Sequence, residues 1–141
     1  MKKLKKIMLV CLSMLLTMSF VAIPAQAADV DDTVVQPRWS NMAILHLSFA
    51  FPQEGYGCAE ASFAGQPGTT KIVAEVHVYK KSGLIWRYVD EETVTVNAMN
   101  GMLSCIFTAT QGTEYKAEYK FTVTKNGVDE VVEKTQYKTY E

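Results

Sequence analysis

Between Thr113 and Lys125, Tyr115, Ala117, Tyr119, Phe121 and Val123 alternate with Lys116, Glu118, Lys120, Thr122 and Thr124, and the run ends at Asn126-Gly127. A period of two places the apolar set on one face of a pleated strand and the polar set on the other. Such a segment is stable only where one face is covered and the other is wet. Asn-Gly then supplies the two positive-φ positions of a type I′ hairpin turn. The same alternation recurs throughout the chain after residue 40. Ala43, Leu45, Leu47 and Phe49 predict a strand over 41–49, and Ala59, Ala61 and Phe63 one over 56–63. Ile72, Ala74, Val76 and Val78 predict a third, with Glu75, His77 and Tyr79 on its other face. Leu84 to Val89 reads as a fourth, Thr93 to Val96 as a short fifth, and Leu103, Cys105 and Phe107 as the face of a sixth. Residues 114–124 and Val128 to about Tyr140 complete the set. Turns fall where Gly, Pro and Asn cluster, at Pro52 to Gly55, Gly65 to Gly68, Lys80 to Gly83 and Asn100-Gly101. Helical spacing is almost absent. Seven or eight short strands at this spacing predict an all-β sandwich of two antiparallel sheets.

The first residues read differently. Lys2, Lys3, Lys5 and Lys6 form a basic head, an apolar run extends from Ile7 to Ile23, and Pro24-Ala25-Gln26-Ala27 follows. This is the three-part pattern of a secretory signal peptide, with cleavage expected after Ala27. An uncleaved anchor is the alternative, since the run is near the lower length for a bilayer span. Cys11 does not read as a lipid-attachment site, because Val10 precedes it and the apolar run continues past it. The expected organisation is a signal peptide over 1–27, a flexible acidic leader over 28–40 and a β-sandwich domain over 41–141. The expected location is extracellular.

Charge narrows the partners. Four of the fourteen basic residues precede residue 28 and all fifteen acidic ones follow it, leaving ten against fifteen and a net charge of −5. A mildly acidic domain lacks the basic patch that nucleic acid or anionic lipid requires. Neither is expected as a partner, and no membrane association is expected once the signal is removed.

After cleavage two cysteines remain, Cys58 and Cys105, in an oxidising compartment. A Cys58–Cys105 disulfide is the expected state. Closing a loop of that length contributes roughly 4 kcal/mol in the chain-entropy account. Alternation sets a difficulty against it. Cys105 shares its face with Leu103 and Phe107, whereas Cys58 shares its face with Glu60 and Ser62. A β-bulge near Gly55 or Gly57 would re-aim Cys58; otherwise the bridge lies outside or the thiols stay free.

Gly112-Thr113-Glu114-Tyr115-Lys116-Ala117-Glu118-Tyr119 resembles the approach to the sixth strand of fibronectin type III and immunoglobulin-like domains. The resemblance implies a tyrosine corner, with the Tyr115 hydroxyl turned back onto upstream backbone. It departs from the antibody pattern, which has cysteine where Ala117 stands, and from the tryptophan usual in the second strand of fibronectin type III domains. The chain after the signal also looks like small secreted β-sandwich proteins of Gram-positive bacteria. These pair a Lys-Lys-x-Gly hairpin and a tryptophan, here Tyr79 to Trp86, with a Gly-x-x-Tyr strand near the end. That likeness implies no activity.

The chemistry-bearing residues are few. A nucleophilic triad needs histidine beside Ser or Cys. The two histidines, His46 and His77, are accounted for by strand alternation, and no Gly-x-Ser-x-Gly elbow occurs. Zinc would need Glu75, His77 and His46 to converge. Calcium would need Asp29, Asp31 and Asp32, or Asp90, Glu91 and Glu92, none at EF-hand spacing. No catalytic residue, cofactor or metal is expected. The aromatics are more informative. Trp39, Tyr56, Tyr79, Trp86, Tyr88, Tyr137 and Tyr140 cannot all enter so small a core. Trp86, Tyr88 and Tyr79 are the candidate ligand-contact residues; the alternative is that Trp86 fills the core and Tyr88 covers an edge. The expected function is a secreted, non-enzymatic protein-binding or adhesion module, using a sheet face or the loops 64–70 and 97–101. A carbohydrate-binding module is the alternative; a secreted enzyme or peptide toxin is the least supported. The expected partner is an extracellular protein or glycan.

Overall fold

The computed structural model describes residues 38–141, so the expected signal peptide and residues 28–37 of the leader lie outside the described part. Seven strands follow one another: β1 Met42–Gln53, β2 Tyr56–Gly65, β3 Thr69–Ser82, β4 Ile85–Val96, β5 Asn100–Thr108, β6 Glu114–Lys125 and β7 Val128–Thr139. They form a three-stranded sheet in the order β1-β2-β5 and a four-stranded sheet in the order β4-β3-β6-β7. All pairings are antiparallel. The fourth strand pairs with β3 rather than β5. A constant-type immunoglobulin domain puts it on the opposite sheet, so this is the fibronectin type III-like arrangement of the expected sandwich.

Two expected boundaries are corrected. The turn expected at Asn100-Gly101 falls at residues 97–99, and Asn100 and Gly101 open β5 opposite Ala64 and Phe63. The predicted strands at 84–89 and 93–96 are a single strand, β4, with a register shift opposite Val78/Tyr79. Asp90, Glu91 and Glu92 looked like a break. On an edge strand with a bulge, charged side chains find water without ending the ladder, and they discourage pairing with another chain.

The core follows the alternation. Ile72, Ala74, Val76 and Val78 of β3 and Tyr115, Ala117, Tyr119, Phe121 and Val123 of β6 meet Ala59, Ala61, Phe63, Leu103, Cys105 and Phe107 from the other sheet. Phe63 and Phe121 touch across the interlayer space, their rings 5.5 Å apart. Gly57 is required by this packing: a Cβ there would lie 2.2 Å from the Phe107 ring. Asn126 and Gly127 have φ of 51° and 75°, as the type I′ turn demands.

Two clasps hold β1 against β7, which run in the same direction. At one end the Glu130 carboxylate accepts the backbone N–H groups of Ser40, Asn41 and Met42 at 2.7, 2.7 and 3.0 Å. Burial works to raise the Glu130 carboxyl, but these three donors outweigh it and hold it below the usual glutamate value. At the other end the Tyr140 hydroxyl accepts from the Gly55 N–H at 3.0 Å, and its ring stacks on Phe51 at 4.7 Å.

Candidate functional site

Tyr115 is structural. It is 1% exposed, packs against Phe51 and Phe107, and its hydroxyl accepts the Thr110 N–H at 2.7 Å. This is the tyrosine corner that the resemblance implied.

The Cys58–Cys105 disulfide is not made; both thiols are free. The register explains why. Ala59 pairs with Cys105 and Cys58 with Ile106, with no shift between β2 and β5. Residues one step out of register point to opposite faces of a sheet. Cys105 therefore enters the core at 3% exposure, and Cys58 lies on the outer face 3.6 Å from the Ser104 hydroxyl. Burial above all, then the Asp90 and Glu92 carboxylates, push the Cys105 thiol up to about 11. Burial raises Cys58 too, with the Ser104 hydroxyl offsetting part of the effect.

The metal candidates do not assemble. His46 lies on the outer face of the three-stranded sheet, whereas Glu75 and His77 lie on the outer face of the four-stranded one. His77 Nδ1 instead faces Glu91 Oε2 at 3.4 Å. Asp90, Glu91 and Glu92 are consecutive on a strand and so alternate in direction. Among the described residues no three His, Cys, Asp or Glu side chains are placed to hold a metal; Asp29, Asp31 and Asp32 lie outside them. The loops 64–70 and 97–101 are tied together by the Gly65 N–H donating to Met99 O at 2.7 Å. They occupy the end of the sandwich away from the aromatics. A depression lined by Ile44, Ser62 and Met102 is shallow and open.

The register does bring the aromatics together. Tyr88 pairs with Tyr79, Tyr79 with Lys116, and Lys116 with Tyr137, so these four make one row across the outer face of β4-β3-β6-β7. Trp86, one step nearer the β3–β4 hairpin, leans over this row to put its ring 5.7 Å from that of Tyr137. Tyr79 and Tyr88 meet edge to face, 6.3 Å apart and 82° inclined. Lys116 lies beneath. Its ammonium is 4.5 Å from the Tyr79 ring centre and 5.2 Å from that of Trp86, and it pairs with Glu118 at 2.5 Å. The Lys116 side chain is only 13% exposed. Lys81, paired with Glu114 at 2.7 Å, approaches Trp86 from the hairpin side at 5.8 Å. Tyr88 and Tyr137 remain 56% and 61% exposed, and Leu84 at the hairpin tip is fully exposed. The Tyr88 phenol is raised by partial desolvation against its neighbours and by the Glu91 and Asp90 carboxylates.

So Trp86, Tyr88 and Tyr79 gather on one surface, and Trp86 does not fill the core. Tyr137 completes the cluster and was not singled out from the sequence; its membership depends on the pairing of β7 with β6. The rings are not coplanar, since Trp86 and Tyr137 are inclined at 52°.

No protein-family model and no curated protein matches the chain. Among solved structures, a β-glucuronidase from Parabacteroides merdae is similar over 67% of this chain at 14% identity and a TM-score of 0.44. OgpA from Akkermansia muciniphila is similar over 72% at 11% identity and 0.44, and a protein from Archaeoglobus fulgidus over 69% at 13% and 0.39. The chain spans 13%, 29% and 94% of these three structures respectively. At such identity and overlap the likeness is no guide to activity.

Proposed function

We propose that this protein is a non-enzymatic extracellular module that binds another protein through the outer face of its four-stranded sheet. The observation that carries the reading is the surface of Leu84, Trp86, Tyr88, Tyr79 and Tyr137, left outside a core that is already complete without it. Exposed apolar patches of this kind on small soluble domains mark interaction sites. Tyrosine and tryptophan are the residues that most often anchor protein interfaces. The inclined rings favour an irregular protein surface over a flat sugar ring. The discriminating experiment sets a panel of extracellular proteins beside a glycan array, each with the protein and with its Trp86→Ala and Tyr137→Ala variants. Protein capture lost in both variants supports the reading. Glycan retention lost in both variants, without protein capture, overturns it in favour of a carbohydrate-binding module.

A further inference from the structure

We infer that the segment docking on this face is a cationic peptide, its guanidinium or ammonium groups seated on the outer faces of Trp86, Tyr137 and Tyr88. The inference rests on the protein-binding reading and specifies its partner's chemistry.

Three observations lead there. Two rings of the cluster already hold ammonium groups: Lys116 sits against Tyr79 and Trp86, and Lys81 sits beside Trp86. A ring face carries a negative quadrupole, so the exposed rings of Tyr88 and Tyr137 beside them can take a further cation. The surroundings are acidic. One register step beyond the aromatic row lie Glu91 and Glu118, and the next step brings Glu75 and Glu133. Three cations on that face are engaged: Lys116 by Glu118, Lys81 by Glu114 and Lys120 by Glu75 at 3.9 Å. Glu75, Glu91, Glu114, Glu118 and Glu133 thus face Lys81, Lys116 and Lys120, leaving an excess of negative charge around the rings. An incoming arginine would stack on an indole or phenol and donate to Glu91 or Glu118 together, whereas an acidic segment would be repelled.

The test titrates the purified protein at low salt with a tetra-arginine peptide, followed by calorimetry and by amide chemical shifts. A tetra-glutamate peptide, a Gly-Ser peptide of equal length and a soluble glucan hexasaccharide serve as controls. The arginine peptide is expected to bind, to perturb β3, β4, β6 and β7 around Trp86, and to weaken as salt rises. Trp86→Ala with Tyr137→Ala should lower its affinity about tenfold, and Trp86→Phe should keep most of it. Glu91→Gln with Glu118→Gln should weaken it severalfold. Thermal melts of each variant exclude loss of fold as the cause. Affinity unchanged in the aromatic double variant would mean diffuse attraction to an acidic protein and overturns the inference. Equal binding of the Gly-Ser or glutamate peptide at Trp86 also overturns it, while leaving the protein-binding reading intact. Displacement by the hexasaccharide at Trp86 overturns both.

Discussion

The Tyr115 hydroxyl is the acceptor for a partly buried N–H, that of Thr110. Tyr115→Phe keeps the ring and strands that donor, so it should cost about 1–3 kcal/mol of unfolding free energy in chemical denaturation. Glu130 should show itself through pH. Its carboxyl titrates lower in the fold than in the unfolded chain. The stability it adds is therefore complete above the ordinary glutamate value and lost as pH falls through the lower folded value. Glu130→Gln should melt several degrees below the parent at neutral pH, and the gap should close on acidification. A gap constant with pH would contradict the carboxylate clasp. The two residues differ in legibility. Tyr115 acts on backbone five residues away, so a local motif revealed it. Glu130 serves residues some ninety positions distant, and nothing in its own stretch announces that.

Among the strands, period-two alternation gave most of their positions and faces because a slip of one residue would turn an apolar face to water. It misjudged β4, where an edge position lets acids continue a ladder. It also raised the right objection to the disulfide: Cys58 and Cys105 are neighbours in one sheet and point opposite ways. Two consequences follow at this scale. Mass spectrometry of the purified protein should find both thiols unmodified. A thiol reagent should modify Cys58 in the folded state and Cys105 only on unfolding, and added reductant should leave the melting temperature unchanged. A Cys58–Cys105 linked peptide after digestion would contradict the register. Gly57→Ala forces a Cβ into the Phe107 ring and should destabilise by about 1–3 kcal/mol, as overpacked cores do.

At the scale of the whole molecule, the two sheets share one core and should unfold together in a single transition. Phe121→Ala, which empties the middle of that core, should cost about 3–5 kcal/mol. Trp86→Ala removes a side chain from the outer surface and should cost about 1 kcal/mol or less. Comparable losses in the two variants would return Trp86 to a structural role. Tyr79, Trp86 and Tyr88 share one hairpin and could be singled out in the sequence, whereas Lys116 and Tyr137 join the row only through the pairing register of β6 and β7. Single residues supplied the composition of the patch; the topology supplied its shape. The paired clasps on β1 and β7 also bear on mechanics. Residue 40 is fastened near the start of β7, and residue 140 lies beyond its far end, with β1 running alongside in the same sense. A force drawing residues 40 and 140 apart would load those contacts in shear, all at once, rather than peel them one by one. Single-molecule stretching should accordingly meet one high rupture peak, lowered when Glu130 or Tyr140 loses its hydrogen-bonding group.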